Sequence, residues 1–209
     1  MSAVGTFLQA PLSFMEDNLL LVFSSSDKGG IQDFTIKELN NYQGSKLGKA
    51  KPVHCLSSNT ADKQTFKAYW CPFQINNLCS VMLGSDADFM FTSAMNDCSF
   101  GAGSAAAGSP SSRMVTHANF KSPASRGGSH ISQYDAQDSM LKISLGAGAK
   151  VISPGSTGSY RRDVDGALVL HATTVGIRSK VTGKWDFYTQ RYYKASNTKL
   201  YLRDLVKEF

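Results

Sequence analysis

Short β-favouring segments separated by turn-forming residues constrain this fold more than any other feature of the sequence. TFKAYWCPF, at residues 65–73, alternates apolar positions and predicts a strand that ends at Pro72. GALVLHATTVGIR and KWDFYTQRYY predict a β-hairpin with Thr182–Gly183 at its turn. LLLVF, NLCSVML, DFMF and RMVTHANF predict further short strands. We therefore expect a single α+β domain, a mostly antiparallel β-sheet or sandwich with a few short helices.

The segments between these strands are predicted to be helices or loops. DFTIKELNNY predicts a short helix over Asp33–Tyr42, QYDAQDSMLKI predicts a second helix, and KLYLRDLVKEF predicts an amphipathic helix that closes the chain. Glycine and serine predict loops at Gly44–Pro52, at Gly101–Ser112 and in KSPASRGGS. Residues 1–18 show no period, so we expect a flexible N-terminal segment before a single catalytic domain at 19–209.

The positive charge of the chain is spread along the sequence. Net charge is +6 and the isoelectric point is about 9.1, but no block of five like charges occurs. A solvated basic surface is the simplest interpretation, and attraction to an acidic protein or to nucleic acid is the alternative. The apolar run NLLLVF is too short to span a bilayer, and the preceding Glu16 and Asp17 are unlike a secretory signal. We expect a cytoplasmic protein, or one delivered to a host cytosol without a cleavable signal peptide.

The four cysteines, at positions 55, 71, 79 and 98, are interpreted as free thiols. Their separations of 16, 8 and 19 residues contain no Cys-x-x-Cys pair, which argues against a zinc site. Without a visible export signal, an even number of cysteines does not imply disulfides. The sequence therefore predicts neither a bound metal nor a disulfide framework.

Cys98 is the most informative of the four because it follows an apolar strand and ends the turn MNDC. A thiol is a nucleophile once it loses its proton, and a neighbouring imidazole can accept that proton. His117 lies on the next strand, RMVTHANF, where alternation places it on one face with Val115 and Asn119. Backbone N–H groups of the turn would hold the oxyanion formed during attack on an amide. The opposing interpretation is that Cys98 is a small buried hydrophobic residue.

The other motifs and histidines favour no competing chemistry. The sequence contains no Gly-x-Ser-x-Gly elbow, no phosphate-binding Gly-x-x-x-x-Gly-Lys loop and no His-Glu-x-x-His. His54 adjoins Cys55, but neighbouring strand residues point to opposite faces. His171 is interpreted as a satisfied core histidine and His130 as a solvated loop residue. The segment KWDFYTQRYYKASNTK interleaves basic and aromatic residues, which is typical of single-strand nucleic-acid surfaces and also of an amphipathic surface strand.

TSAMNDC followed by RMVTHANF resembles a group of cysteine glutamine deamidases: the chemoreceptor glutamine deamidases, the catalytic domain of cytotoxic necrotizing factor, and Burkholderia lethal factor. In that group a short turn ends in the nucleophilic cysteine, and a histidine follows on the next strand. Here Cys98 ends the turn, His117 follows nineteen residues later, and Thr92 precedes the cysteine by six residues. The resemblance implies a nucleophile at Cys98, a general base and acid at His117, and an orienting hydrogen bond from Thr92.

The sequence departs from the group's pattern at Asn96 and Asp97, where the group has small residues. A carboxylate beside the thiol would raise the pKa of Cys98 and oppose activation unless it points away. The Gly/Ala/Ser-rich segment before the histidine is also longer than in the group. These departures concern the oxyanion geometry more than the pairing of cysteine with histidine.

The resemblance implies hydrolysis of a glutamine side-chain amide in a partner protein, through a thioester and without metal or cofactor. By resemblance the partner is a small GTPase, a translation factor or a chemoreceptor, and the protein is a secreted bacterial toxin or effector. Neither a membrane span nor nucleic acid is expected as a partner. A papain-like cysteine protease, a transglutaminase, and a non-catalytic binding module using the basic, aromatic C-terminal third are alternatives. A catalytic role predicts a reactive Cys98 that is alkylated ahead of the other three cysteines.

Overall fold

A computed structural model of the protein describes residues 2–23, 26–58, 64–120, 130–154, 160 and 169–209. These residues form two β-sheets and three helices, α1 (Ala3–Gln9), α2 (Pro11–Asp17) and α3 (His130–Leu145). None of the helices in the described ranges is both long enough and apolar enough to cross a membrane. The predicted helix QYDAQDSMLKI is confirmed as part of α3, whereas the predicted loop KSPASRGGS lies outside the described residues.

The larger sheet has ten described strands in the order β1-β5-β2-β6-β8-β12-β13-β14-β3-β4. Their bounds are β1 (Leu19–Phe23), β2 (Gly30–Glu38), β3 (Gln43–Lys46), β4 (Lys49–Lys51), β5 (Val53–Ser57), β6 (Phe66–Cys71), β8 (Phe89–Thr92), β12 (Val169–Arg178), β13 (Trp185–Lys194) and β14 (Lys199–Lys207). The α+β prediction is confirmed in broad terms. The prediction of a mostly antiparallel sheet is imprecise, because β1 pairs with β5, β6 with β8, and β14 with β3 in parallel.

The large sheet curls until it is nearly closed, and α1 and α2 fill its concave side. Phe7 of α1 is fully buried, with its ring centroid 5.0 Å from that of Phe89 and 5.7 Å from that of Phe14 in α2. Residues 1–18 lack a hydrophobic period because both helices are short and their apolar residues point into a curved sheet. The observed packing differs from the flexible segment that the sequence predicts.

Gln190 of β13 connects the edge strand β1 with the end of α2. Its Oε1 accepts a hydrogen bond from the Leu20 N–H at 2.8 Å, and its Nε2 donates to the carbonyl oxygens of Met15 at 2.7 Å and Asn18 at 2.8 Å. The Gln190 side chain is buried, so water does not replace it as the hydrogen-bond partner of these backbone groups. One amide thus satisfies the exposed edge of β1 and the end of α2 together.

The smaller sheet has four described strands in the antiparallel order β11-β9-β10-β7. Their bounds are β7 (Asn77–Leu83), β9 (Ser99–Ala106), β10 (Ser109–Asn119) and β11 (Lys150–Ile152). One face of this sheet packs on the large sheet, in a core that includes Cys98, Phe100 and Val115. The other face carries α3, which approaches so closely that a Cβ on Gly101 would lie 2.8 Å from Leu145 Cδ1.

Two predicted helices are wrong, because both segments are strands of the large sheet. Asp33–Tyr42 overlaps β2, which pairs with β5 on one side and β6 on the other. The C-terminal segment forms β14, where Leu200 and Leu202 are buried at a period of two. Pairing with neighbouring strands determines these conformations, and local helix propensity does not decide them.

Two predicted loops are also wrong. Gly101–Ser112 belongs to the β9–β10 hairpin, and Gly44–Pro52 contains β3 and β4. One glycine of each hairpin, Gly44 in β3 and Gly101 in β9, occupies a strand position where a larger side chain would collide with a neighbour. Gly44 illustrates this, since a Cβ there would lie 2.4 Å from the Lys51 carbonyl oxygen.

Candidate active site

The register of β9 and β10 brings Cys98, His117 and Asn119 to one face of the small sheet. His117 is opposite Phe100, and Ala118 is opposite Ser99. One further step in this antiparallel register places Asn119 opposite Cys98. His117 is then the diagonal neighbour of Cys98, a relation that separates Cα atoms by about 7–8 Å in antiparallel sheets. Two of the three predicted site residues, Cys98 just before β9 and His117 on β10, therefore lie on one face of the small sheet.

The Cys98 thiol is buried and protonated near neutral pH. Its side chain has 3% of its surface exposed, and burial raises the pKa of Cys98 to about 12. The Asp97 carboxylate raises this pKa further. Smaller effects lower it, and they come from the backbone of Asp97 and Asn96 and from the Asn119 side chain. Cys98 precedes a strand, so no helix dipole lowers its pKa. The exposed thiol expected from the sequence is not what the structure shows.

His117 is a buried neutral imidazole. Its side chain is 1% exposed, and burial lowers the pKa of His117 to about 4. Neither Nδ1 nor Nε2 has a hydrogen-bond partner among the residues that the structure describes, so the imidazole does not bond the Cys98 thiol in this state. The nearest aromatic neighbour is Phe73, with ring centroids 5.8 Å apart. Unpaired buried nitrogens of this kind are costly and rare in a core.

Thr92 lies in the large sheet, where it is opposite Cys71 in the parallel pair of β6 and β8. Its hydroxyl donates to the carbonyl oxygen of Ser93 at 2.9 Å. The structure therefore directs this hydroxyl at the chain's own backbone, and not at His117 as the resemblance implies. Of the three predicted site residues, Cys98 and His117 lie on one face of the small sheet, whereas Thr92 lies on β8 of the large sheet.

Helix α3 fixes the turn that carries Cys98, a feature that sequence reasoning missed. Gln137 Nε2 donates to the Asp97 carbonyl oxygen at 3.1 Å, and Gln137 Oε1 accepts from the Ser99 hydroxyl at 2.6 Å. The Tyr134 hydroxyl donates to Asp97 Oδ1 at 2.9 Å. The two glutamines of SQYDAQ could have indicated this contact, because a buried glutamine side chain needs hydrogen-bond partners.

The opposite side of the turn is tied to the large sheet. Met95 and Ala172 exchange two backbone hydrogen bonds of 2.7 Å, and the Tyr160 hydroxyl donates to the Cys98 carbonyl oxygen. These contacts hold the turn between α3 and β12. The backbone N–H groups near the sulfur are thereby held in fixed positions before any substrate arrives.

Two of the other cysteines, Cys71 and Cys79, lie close to His117. Cys79 of β7 is opposite His117 in register, and the Cys71 thiol donates to the Cys79 carbonyl oxygen at 3.5 Å. Burial raises the pKa of both thiols. All four cysteines are free, and no group of three His, Cys, Asp or Glu side chains in the described part of the chain is placed to hold a metal ion.

The remaining histidines occupy three different environments. His54 is buried against Phe14 at a ring distance of 5.0 Å. His171, interpreted from the sequence as a satisfied core residue, is half-buried and lines an open cleft beside Tyr192. His130, expected in a loop, is the first residue of α3. None of these three lies on the β9–β10 face that carries Cys98.

No protein-family model, curated protein or solved structure matches this chain. The chemistry of the site is therefore argued from its own residues. A thiol, an imidazole and a carboxamide on one face of two paired strands are the groups that acyl transfer through a cysteine requires. Burial leaves both the Cys98 thiol and the His117 imidazole uncharged near neutral pH.

Proposed function

We propose that the protein is a cysteine-dependent hydrolase that deamidates a glutamine side chain of a partner protein. The observation that carries this proposal is the shared face of Cys98, His117 and Asn119 on adjacent antiparallel strands. The Asn119 side chain supports it, because it acts to lower the pKa of the Cys98 thiol against the larger effect of burial, and the same donor can stabilise a developing thiolate. The turn N–H groups of Asn96 and Asp97 add two further donors.

In the proposed reaction, His117 takes the proton of the Cys98 thiol as the sulfur attacks the carboxamide carbon. A C–S bond forms, and the carbonyl oxygen becomes an oxyanion held by the N–H groups of the turn. The C–N bond then breaks, and ammonia leaves with the proton from the imidazolium. Water adds to the thioester with His117 as the base, the C–S bond breaks, and the proton returns to the sulfur. The products are a glutamate side chain and ammonia.

General-base attack suits a neutral resting pair better than a preformed ion pair does. Burial raises the pKa of the Cys98 thiol and lowers the pKa of the His117 imidazole, so both groups are uncharged near pH 7. A substrate carboxamide must displace part of the covering before it meets the sulfur, because Cys98 is buried. The proposal therefore includes a local rearrangement on substrate binding, as apo catalytic geometry often requires.

The proposed substrate is a glutamine of a small GTPase, a translation factor or a chemoreceptor, and the proposed setting is a delivered bacterial effector. Both follow from the resemblance of TSAMNDC and RMVTHANF to the deamidase group. Conversion of one neutral carboxamide to a carboxylate would disable a site that depends on the amide, because it adds a negative charge and removes a donor.

Peptide mapping of host lysate proteins tests the proposal. Lysates are incubated with wild type, Cys98→Ser or His117→Ala, and with Cys79→Ser as the matched control, since Cys79 is another buried thiol of the same sheet. We expect new glutamate at a specific glutamine with wild type and Cys79→Ser alone. Thermal unfolding of each variant shows that the protein used was folded. An identical glutamine inventory in wild-type and Cys98→Ser lysates would overturn deamidation.

The same peptide maps separate the related cysteine chemistries. A papain-like protease would produce new chain ends that depend on Cys98. A transglutaminase would attach an amine to the glutamine when a primary amine is supplied in place of water. Intact substrate with a single glutamine-to-glutamate change is the outcome that supports the deamidase.

A non-catalytic binding module is the second candidate, favoured by the outer face of β13 and β14. Tyr193 is opposite Tyr201, the Lys199 Nζ lies 5.8 Å from the Tyr201 ring, and Arg203 donates to the Tyr193 hydroxyl at 3.3 Å. Aromatic rings interleaved with cations suit an anionic partner surface. If the protein is a binding module, the Cys98→Ser variant should keep its full biological effect, and the double variant Lys199→Glu with Arg203→Glu should lose it. Arg191 is unsuitable for such a test, because it forms two 2.6 Å hydrogen bonds with Asp204.

A further inference from the structure

A cleft of about 240 Å³ opens at one end of the curled sheet, where the ends of β1 and β13 meet the segment before Cys98. Its floor is apolar and consists of buried side chains that include Leu21, Tyr192 and Leu200. The His171 ring stacks on Tyr192, with centroids 5.4 Å apart and an interplanar angle of 12°. An apolar floor beside two stacked rings gives a flat surface against which a further ring can pack.

The rim of the cleft is polar, and Lys194 is the one charged side chain among its described lining residues. Asn96, Asn197 and Lys194 are exposed there, and no carboxylate occurs among the described lining residues. Lys194 forms no ion pair with any residue in the described ranges. Two amides and a free ammonium supply donors to an anion, and His171 contributes a hydrogen-bonding ring nitrogen.

We propose that this cleft binds a small compound with a single ring and one anionic group. The ring packs on the floor beside His171 and Tyr192, and the anion lies at the rim against Lys194 and the amides of Asn96 and Asn197. The volume limits the ligand, because sites for drug-sized molecules span about 300–1,000 Å³. A concave site with an apolar floor and a few convergent polar groups is the usual anatomy of a small-molecule site. The inference is independent of the Cys98 chemistry.

Titration of the full chain by ¹H–¹⁵N NMR tests the site with three matched probes. Benzoate has the ring and the charge, benzamide keeps the ring without the charge, and cyclohexanecarboxylate keeps the charge without the aromatic ring. We expect benzoate to shift the backbone amides of His171, Lys194 and Asn96. Because an exposed ion pair contributes up to about 1 kcal/mol, benzamide should bind about three- to fivefold more weakly. Cyclohexanecarboxylate should also bind more weakly than benzoate.

Lys194, the last residue of β13, is the residue to substitute, and Lys184, just before the first residue of β13, provides the control variant. Lys194→Gln should weaken benzoate binding about three- to fivefold, whereas Lys184→Gln, also exposed, should leave it unchanged. His171→Ala should reduce the preference for benzoate over cyclohexanecarboxylate, which a loss of charge alone would not do. Absence of benzoate-induced shifts, equal binding of benzamide and benzoate, or equal effects of the two lysine variants would each overturn the proposal.

Discussion

Acidification should destabilise the protein through His117. Burial lowers the pKa of this imidazole from its ordinary value of 6.5 to about 4. Below about pH 6.5 the unfolded chain binds a proton that the folded protein does not accept until about pH 4. The stability contribution of a neutral His117 is therefore complete above the unfolded pKa, and it is lost as the pH falls through the interval between the two values.

The size of this loss follows from the linkage relation. A pKa difference from 6.5 to about 4 corresponds to about 3 kcal/mol in full, at about 1.4 kcal/mol for each pH unit. Between about pH 7.5 and about pH 5 the expected part of that loss is about 2 kcal/mol. In a chain of 209 residues this corresponds to a decrease in Tm of about 4–8 °C.

Urea unfolding of wild type and His117→Leu across this pH range measures the effect. Each protein is compared with its own stability at about pH 7.5, so that the altered packing of the leucine cancels. Burial also lowers the pKa values of His54 and His171, and these residues add to the acid-induced loss in both proteins. The difference between the two pH profiles therefore isolates His117. Asn119→Ala is the control, because it alters the same face of the sheet without removing a titrating group.

Two outcomes would refute the reasoning. Parallel pH profiles for wild type and His117→Leu would show that the imidazole is solvated when the protein is folded. A wild type that gains stability relative to His117→Leu on acidification would show a raised pKa for His117. A raised pKa is the signature of an imidazolium paired with the Cys98 thiolate, and it would replace the neutral resting pair with a preformed ion pair.

Three further predictions concern other parts of the chain. Gln190→Leu should destabilise the protein by about 3–6 kcal/mol in urea unfolding, because three backbone groups lose their partner, whereas Gln32→Leu, at a half-buried residue that donates to the Lys28 carbonyl oxygen, should cost no more than about 1.5 kcal/mol. Leu47→Asn should stabilise the protein by about 0.5–1 kcal/mol, since Leu47 is 96% exposed at a φ of 50° in a hairpin turn. The labelling order expected from the sequence, with Cys98 alkylated first, is wrong for the resting protein, because burial keeps the Cys98 thiol covered and protonated. Iodoacetamide should label the half-buried Cys55 before Cys98 in the native protein, and mass spectrometry showing the reverse order would contradict the observed burial.

Strands with a clear period of two could be predicted from the sequence. Phe66–Cys71 is confirmed as β6, and the predicted hairpin is confirmed as β12 and β13, with Gly183 at a φ of 70° in the turn. Alternate residues of these strands pack into different core clusters on the two faces of the large sheet, and Gly183 adopts a backbone conformation that few other residues tolerate. For such segments, local composition is sufficient to predict the strands and the turn.

Strands whose composition is set by a distant neighbour could not be predicted. The segment of β9 resembles a flexible loop because it is built from glycine, alanine and serine. The reason for the small residues is the approach of α3, where Leu141 and Leu145 pack directly over Gly101. The sequence of one segment does not tell which helix will cover which strand. Small residues that are needed for close packing against a helix are therefore interpreted as a loop.

The candidate site shows the same division between local and long-range information. Chain order and alternation were sufficient to place Cys98 and His117 on adjacent strands, because those properties are local. Their burial was not predictable, since it depends on the large sheet packing against the face that they share. Burial raises the pKa of one group and lowers the pKa of the other, so it determines whether the pair rests neutral or ionised. Motif spacing alone can therefore name the two groups that we propose as reacting, whereas their resting protonation state depends on residues far away in the sequence.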